Sequence, residues 1–200
     1  MSLGKLIPNR DDQVLDRMPP IPVENMTEEQ KKAAADLIAG PRGVLRGPFV
    51  PLLRSPEYMT RLQKTGEYLR FNSSLPTKLN EFVIILTARQ WTQQYEFYEH
   101  APLAVKAGLS SEILKAVAQG SRPEGMASDE ETVYDFCTEL RQNLSVSDAT
   151  YARALSAFGE QGVVDMTGVI GYYSTLAIIM NVARTPMPPG ATPLLVPFPH

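Results

Sequence analysis

The stretch EFVIILTARQWTQQYEFYEH, residues 81–100, decides how the middle of this chain folds, because Glu81 and His100 can share a site only if the backbone turns between them. In one continuous helix, which rises ~1.5 Å per residue, the two residues would lie ~28 Å apart. A turn at residues 91–93 would instead produce two antiparallel helices, with Thr92 as the N-cap of the second. We therefore predict a helical hairpin that brings Glu81 towards the helix bearing His100.

His100 is the strongest candidate for a catalytic acid or base. Histidine titrates closest to neutral pH, and the only other histidine is the last residue, His200. Glu96 lies four residues before His100 on the same helical face, where it could orient the imidazole and stabilise its protonated form. Gln93 lies on an adjacent part of that face, whereas Glu99 points ~100° away and is expected to be solvated. The alternative interpretation is an ordinary Glu–His pair on a helix surface.

Capping signals along the chain predict about seven or eight helices joined by short loops. Most of them place a Ser, Thr or Pro before an apolar stretch of helical periodicity, and several end at a glycine. The predicted starts are Thr27 with Gln30, Ser55-Pro56-Glu57, Pro76, Ser110, Ser128 with Glu131, and Ser147; the predicted stops are Gly40, Gly120 and Gly159. A last helix is expected over residues 161–183, and no Asn-Gly turn indicates a β-hairpin. The predicted class is all-α.

Both ends of the chain differ from this helical middle because they are rich in proline, which cannot continue a helix. We predict an extended N-terminal arm over residues 1–25, a helical domain over 26–184 and a proline-rich C-terminal tail over 185–200. The tail also carries apolar side chains that are poorly suited to free solvent: Met187, Leu194, Leu195, Val196 and Phe198. We expect it to lie along a groove, which could belong to a neighbouring subunit; the alternative is a disordered end.

Composition argues against several classes of partner. A net charge of −3 and scattered basic residues disfavour a nucleic acid. No apolar run reaches the ~20 residues of a membrane-spanning helix, and the N-terminus lacks the apolar core of a signal peptide. The single cysteine, Cys137, excludes an internal disulfide and suits a reducing cytoplasm. Because the usual Cys and His ligands are scarce, we also expect no metal site.

The hairpin and the residues after it carry a longer pattern, E-x9-W-x3-Y-E-F-x2-H-x2-L-A-x2-A-G-L-S-x-E-I-x5-Q-G, which runs from Glu81 to Gly120. This pattern resembles the carboxymuconolactone decarboxylase family, which includes the alkyl hydroperoxidase D-like proteins. The resemblance extends over about residues 40–185. It implies an alkyl hydroperoxidase D-like helical fold and a homo-oligomer, a trimer or a hexamer built as a dimer of trimers, with active sites near the subunit interfaces.

Two chemistries occur in that family, and the residues of this chain favour one of them. The peroxidase branch uses a Cys-x-x-Cys pair, whose positions are occupied here by Gln93 and Glu96, so thiol peroxidase chemistry is not available at this motif. The decarboxylase branch lacks the cysteines, needs no cofactor and removes CO₂ from a carboxylated muconolactone. The resemblance therefore implies a small carboxylate or lactone as substrate, with isomerisation or hydrolysis of such compounds as alternatives and a non-catalytic binding protein as a further one.

The resemblance and the chemistry together suggest roles for individual residues. His100 would transfer the proton, with Glu96 orienting it and Glu81 completing a relay. Arg46, in the long Gly-, Pro- and Arg-rich loop of residues 40–57, is the first choice for holding the substrate carboxylate, since arginine binds carboxylates bidentately; Arg89 and Arg122 are lesser choices. The expected substrate-binding side chains also include Gln93, Trp91 and Tyr95, while Tyr172, Tyr173 and Asn181 could reach the pocket; aromatic residues at helical spacing are alternatively core.

Overall fold

Capping side chains set the bounds of several helices in the computed structural model, which describes residues 15–196. Over that range the predicted all-α class is confirmed, and no strand is present. A 3-10 turn at Val23–Asn25 precedes eight helices: α1 (Glu28–Ala39), α2 (Phe49–Leu52), α3 (Pro56–Phe71), α4 (Thr77–Gln90), α5 (Gln94–Lys106), α6 (Ser111–Gln119), α7 (Ser128–Asn143) and α8 (Asp148–Ala183). α8 is interrupted at Gly159, whose backbone angles of φ 68° and ψ 177° are not helical, so a helix does end there as predicted.

Three predicted helix starts are confirmed by hydrogen bonds from the backbone to a capping side chain. Thr27 accepts from the Gln30 N–H, and the Gln30 side chain accepts from the Thr27 N–H, which completes a capping box at α1. Ser110 and Ser147 cap α6 and α8 with their side-chain oxygens. These local signals depend only on neighbouring residues, which is why the sequence predicts them well.

The start of α7 differs from its prediction by one residue. The N-cap is Ala127 and not Ser128, because the carboxylate that reaches back to the helix start belongs to Glu130 and not to Glu131. One oxygen of Glu130 accepts from the Ala127 N–H at 2.8 Å, and the other contacts Lys78 Nζ at 2.8 Å. Both oxygens of this buried carboxylate are therefore partnered.

The predicted turn between α4 and α5 is confirmed, but its cap is a different residue. Thr92 adopts a left-handed backbone (φ 47°), whereas an N-cap needs an extended one. Gln93 is the N-cap: its side-chain oxygen accepts from the Tyr95 N–H at 2.7 Å, and its own N–H donates to the Ala88 carbonyl at 2.8 Å. The prediction of Thr92 as the cap is wrong because Thr92 itself forms the sharp reversal with a left-handed backbone.

α4 is the central helix, since it packs against α5, α7 and α8 and buries side chains on nearly every side. Phe82, Val83, Ile84 and Ile85 have no exposed surface. Glu81 lies among them with only 6% of its surface exposed. A carboxyl group in such surroundings must be hydrogen-bonded or give up its charge, so the fold requires a partner for Glu81.

α8 is the one helix within residues 15–196 whose length and composition would allow it to cross a membrane. Half of the residues in its most apolar window are buried inside the protein. Met166, Val169 and Met180 lie on the buried side, whereas Val164 and Val182 are 68% and 54% exposed. One side of the helix therefore packs in the core, and the other side carries exposed apolar side chains.

The described parts of both ends lie against the helices of their own chain. The Arg17 N–H donates to the Ala183 carbonyl at the end of α8. In the tail, Leu195 is 4% exposed, its N–H donates to the Gln94 side chain at 3.0 Å, and the Val196 N–H donates to the Ala118 carbonyl at 3.3 Å. Residues 1–14 of the predicted arm and 197–200 of the predicted tail lie outside the described residues.

Candidate functional site

The turn between α4 and α5 brings Glu81 and His100 into direct contact in the protein interior. Glu81 Oε2 lies 2.6 Å from His100 Nδ1, and the two side chains are 7% and 6% exposed. This short distance is that of a strong hydrogen bond between a carboxylate and an imidazole. Since a carboxylate can only accept, Nδ1 carries the hydrogen, and Nε2 is the nitrogen left to exchange a proton with a ligand.

The surroundings of His100 favour its neutral form. Burial lowers the pKa of His100 below its ordinary value of 6.5; the hydrogen bond to Glu81 opposes that shift, and the positive charges of Arg70 and Arg42 add to it. At neutral pH the ring is therefore uncharged and able to accept a proton. Glu81 would then stabilise the imidazolium that forms, which is how a carboxylate supports a histidine base.

His100 lines a cavity of about 80 Å³ between the 40–48 loop, α3, α5 and α8. A buried water molecule needs about 10–15 Å³ of such a volume, so the cavity has room for several waters or one small ligand. Its ionisable lining consists of Arg42, Arg46, Arg70, Tyr95, Glu96, Glu99, His100 and Tyr173. Three arginines make this lining attractive to an anion.

Glu96 lines the same cavity but does not orient His100, and that prediction is wrong. Glu96 is 3% exposed, and within residues 15–196 no hydrogen-bond donor reaches either of its carboxyl oxygens. Nδ1 of His100 is instead bound by Glu81, which approaches from the neighbouring helix. Burial raises the pKa of Glu96 well above its ordinary value of 4.5.

Arg46 lies at the mouth of the cavity, where it forms an ion pair with Glu99 at 2.8 Å. Its side chain is 59% exposed, so it retains freedom to meet a ligand. Glu99 is only 22% exposed, and its predicted solvation is wrong because the 40–48 loop approaches α5 here and pairs Arg46 with it. Gly47 allows that approach: its φ is 56°, and a Cβ there would lie 2.7 Å from the Tyr95 ring.

The cavity is also lined by two arginines, Arg42 and Arg70, that the sequence did not single out. Arg42 donates to the Tyr172 hydroxyl at 3.0 Å, and Gly66 makes room for this pair, since a Cβ there would lie 2.0 Å from the hydroxyl and 2.7 Å from the guanidinium. Arg70 comes from the end of α3. Arg42 belongs to the same Gly- and Pro-rich loop as Arg46, which is a signal that could have found it. Nothing in the pattern of α3 distinguishes Arg70.

Tyr173 of α8 lines the cavity beside His100. The two rings meet edge to face with their centroids 5.1 Å apart, and Tyr172 stacks in the same way on Tyr173 at 5.2 Å. Burial raises the pKa of both tyrosines, that of Tyr172 to about 12. The Tyr173 hydroxyl is buried, and no group within the described range hydrogen-bonds to it.

Of the three other side chains expected to bind a substrate, the structure places only Tyr95 at this cavity. Gln93 uses its amide internally: the oxygen caps α5, and the nitrogen donates to the Asn181 side chain at 2.8 Å. Asn181 in turn donates to the Trp91 carbonyl at 3.1 Å. Gln93, Trp91 and Asn181 therefore fasten the α4–α5 turn to α8, which holds the helix that carries His100.

The lesser arginine candidates lie elsewhere. Arg89 lines a separate cavity of about 60 Å³ together with Cys137, and it donates to the Val196 carbonyl at 2.7 Å. Arg122 forms an ion pair with Asp135. Cys137 is a partly buried free thiol, and burial raises its pKa to about 12. In the part of the chain that the structure describes, no three His, Cys, Asp or Glu side chains are grouped to hold a metal ion.

No protein-family model matches this chain, and no curated protein matches its sequence.

Proposed function

We propose that the protein is a cofactor-independent lyase or isomerase of the carboxymuconolactone decarboxylase type, with an alkyl hydroperoxidase D-like fold. Its substrate would be a small carboxylated lactone or a related intermediate of aromatic catabolism. The observation that carries the proposal is the 2.6 Å contact between buried Glu81 and His100 at a cavity lined by arginines. The sequence pattern from residues 81 to 120 supplies the family.

Both candidate reactions require the site to transfer a proton to or from a carbon atom of the substrate. In a decarboxylation, the bond from carbon to the carboxylate breaks, its electron pair enters the unsaturated lactone as a dienolate, and CO₂ leaves. His100, having accepted a proton from solvent, then delivers it to carbon. In an isomerisation, the neutral ring removes a proton beside the carbonyl and returns it further along the conjugated system. In both cases Glu81 stabilises the imidazolium.

The arginines would hold the substrate carboxylate. Arg46 is exposed at the mouth, and the partly buried Arg42 and Arg70 also line the cavity. Charge-assisted hydrogen bonds to a carboxylate contribute about 1.5–3 kcal/mol each, enough to fix the orientation of a small acid. Tyr95 and Tyr173 would flank a planar ring, which suits an unsaturated lactone.

We also propose that the protein is a cytoplasmic homo-oligomer, a trimer or a hexamer. The family resemblance suggests this assembly. Support comes from the exposed side of α8, where Val164, Ile178 and Val182 are 41–68% exposed and would gain from being covered by another copy. Size-exclusion chromatography with light scattering measures the mass directly, and a monomer at micromolar concentration would contradict the assembly.

A thiol peroxidase is the competing enzymatic hypothesis, and the site offers no thiol to support it. Gln93 and Glu96 occupy the cysteine positions, and Cys137 lines a different cavity with its pKa raised to about 12. A thiolate is the form that attacks a peroxide, so such a thiol would react slowly. Peroxide reduction with a dithiol donor that disappears in Cys137→Ser would revive this hypothesis.

The proposed activity is tested by incubating the purified protein with a panel of carboxylated muconolactones and their double-bond isomers. Released CO₂ reports a lyase, and proton NMR of the mixture reports an isomerase. We expect one member of the panel to be converted, and His100→Ala to lower kcat by about 10²–10⁴-fold while keeping the fold and the mass of the assembly. Conversion at the full rate by His100→Ala would overturn the mechanism, and an inert wild-type protein would overturn the proposed function.

A further inference from the structure

Glu96 differs from every other buried carboxyl group in residues 15–196. Those others are Glu81, Glu130 and Asp165, and each has hydrogen-bond partners. Glu81 binds His100; Glu130 binds a backbone N–H and a lysine; Asp165 accepts from the N–H and hydroxyl of Ser74 and from a tyrosine. Neither oxygen of Glu96 is reached by a donor of the described chain. A buried polar group without a hydrogen-bond partner points to a ligand or a function.

The tight turn before α5 explains why Glu96 lacks a hydrogen-bond partner. Glu96 and Glu130 both occupy the third position of their helix, from which a glutamate can reach back to the N–H of the N-cap residue. Glu130 does so. At α5 the N–H of the N-cap, Gln93, already donates to the Ala88 carbonyl at 2.8 Å. The tight turn therefore removes the usual partner of Glu96, whose side chain lines the cavity instead.

The charged groups around the cavity do not replace that partner. Three of them are paired with residues other than Glu96: Arg46 with Glu99, Arg42 with Tyr172, and His100 with Glu81. Arg70 and Tyr173 also face the cavity, and neither is bonded to Glu96. A carboxylate anion buried without a donor is strongly disfavoured, so the group keeps its proton, and burial accordingly raises its pKa. A protonated carboxyl group is a hydrogen-bond donor.

We infer that Glu96 works as a neutral carboxylic acid that donates its O–H to the substrate oxygen on which negative charge develops. The inference rests on the proposed function and adds a residue that binds the reacting part of the substrate. When CO₂ leaves, or when Nε2 of His100 removes a proton beside the carbonyl, the released electron pair forms a new C=C bond and the carbonyl π pair moves onto oxygen. Glu96 stabilises that oxyanion through its hydrogen bond and retains its own proton.

The second half of the reaction restores both groups. The oxyanion pair re-forms the carbonyl, the C=C pair takes a proton from the protonated His100 at carbon, and His100 becomes neutral again. Glu96 and His100 are one helical turn apart on α5 and line one cavity, so a planar substrate can meet both. Removing one donor to an oxyanion typically lowers kcat by about 10²–10³-fold.

The test compares two replacements of Glu96 that differ in one property. Glu96→Gln keeps a neutral N–H donor of nearly the same shape, whereas Glu96→Leu keeps the size and removes the donor. We expect Glu96→Gln to keep kcat within about tenfold of the wild type and Glu96→Leu to lose about 10²–10³-fold. Glu57→Gln, at an exposed position on α3, serves as the control and should change nothing. Equal losses in the Gln and Leu variants would overturn the inference.

Two measurements on the resting protein separate this inference from the proposed function. The infrared spectrum at pH 7 should contain the carbonyl band of a protonated carboxylic acid that both Glu96 variants lack. The ionised form of 4-nitrophenol, an oxyanion visible by its absorbance, should bind the wild type at least tenfold more tightly than Glu96→Leu. A wild-type spectrum without that band overturns the inference and needs no variant to fold. If the carbonyl band and the binding of ionised 4-nitrophenol are both observed but no lactone is converted, only the proposed function is overturned.

Discussion

Replacing Glu96 by leucine should stabilise the protein, and the stabilisation should grow as the pH rises. A buried polar group without a partner destabilises a protein by about 1–3 kcal/mol, and an apolar side chain of similar size removes that penalty. Glu96 is 3% exposed and no described donor reaches its carboxyl group, so a penalty of this kind applies to it. We expect the leucine variant to gain about 1–3 kcal/mol in the free energy of unfolding at mildly acidic pH.

The pH dependence follows from the raised pKa of Glu96. Its native value lies well above the ordinary 4.5, so the native state keeps a proton that the unfolded state releases above that pH. The stability contributed by this proton is fully present below 4.5 and is lost as the pH rises towards the native pKa, at up to about 1.4 kcal/mol per pH unit. The leucine variant has no such loss. Between pH 5 and 7 its advantage over the wild type should therefore widen by up to roughly 3 kcal/mol.

Urea unfolding followed by circular dichroism at pH 5, 6 and 7 measures this difference, at one protein concentration because assembly shifts apparent stability. The matched control is Glu130→Leu at the same helical position of α7. Glu130 has two partners, so its loss should destabilise the protein by about 2–4 kcal/mol. If Glu96→Leu destabilises the protein as much as Glu130→Leu does, or if its effect is the same at all three pH values, then Glu96 is not a protonated group without a partner.

Three further predictions concern packing and proton transfer. Gly66→Ala would place a Cβ 2.0 Å from the Tyr172 hydroxyl, so it should lower the free energy of unfolding by about 1–3 kcal/mol, and an unchanged urea midpoint would contradict this. Leu195→Ala should lower it by about 2–3 kcal/mol because that side chain is 4% exposed, whereas the 44% exposed Leu194 should tolerate alanine within about 0.5 kcal/mol; equal effects would contradict a docked tail. If the reaction is an isomerisation, a plot of kcat/KM against pH should rise with a midpoint below 6.5, because His100 must be neutral to accept the substrate's proton and burial lowers its pKa from 6.5. A kinetic midpoint above 6.5 would contradict the burial of the ring. The stability that the neutral ring of His100 contributes is likewise fully present above pH 6.5 and is lost as the pH falls through the native pKa.

The helices and the central turn could be predicted because their signals are local. Thr27, Ser110 and Ser147 cap helices by binding backbone groups two or three residues away, so spacing alone identifies them. The hairpin was predicted from the demand that Glu81 and His100 meet. Its cap was not, because the choice between Thr92 and Gln93 depends on the left-handed backbone that the reversal imposes.

The site was predicted only in part because its contacts cross between elements. A helical face shows that Glu96 and His100 are neighbours, but not that Glu81 of the adjacent helix has already taken Nδ1. The role of Arg42 depends on the space left by Gly66, which is distant in sequence. Such contacts follow from packing, and no spacing rule contains them.

A double-mutant comparison of turnover shows whether Glu81 and His100 act as one proton-transfer unit. The measurement is kcat/KM of the wild type, Glu81→Gln, His100→Ala and the double variant on one carboxylated muconolactone, with folding checked by circular dichroism. Because residues that act as a unit are strongly non-additive, the double variant should lose no more than His100→Ala alone, about 10²–10⁴-fold. Losses that multiply, or a His100→Ala variant as active as the wild type, would contradict the account.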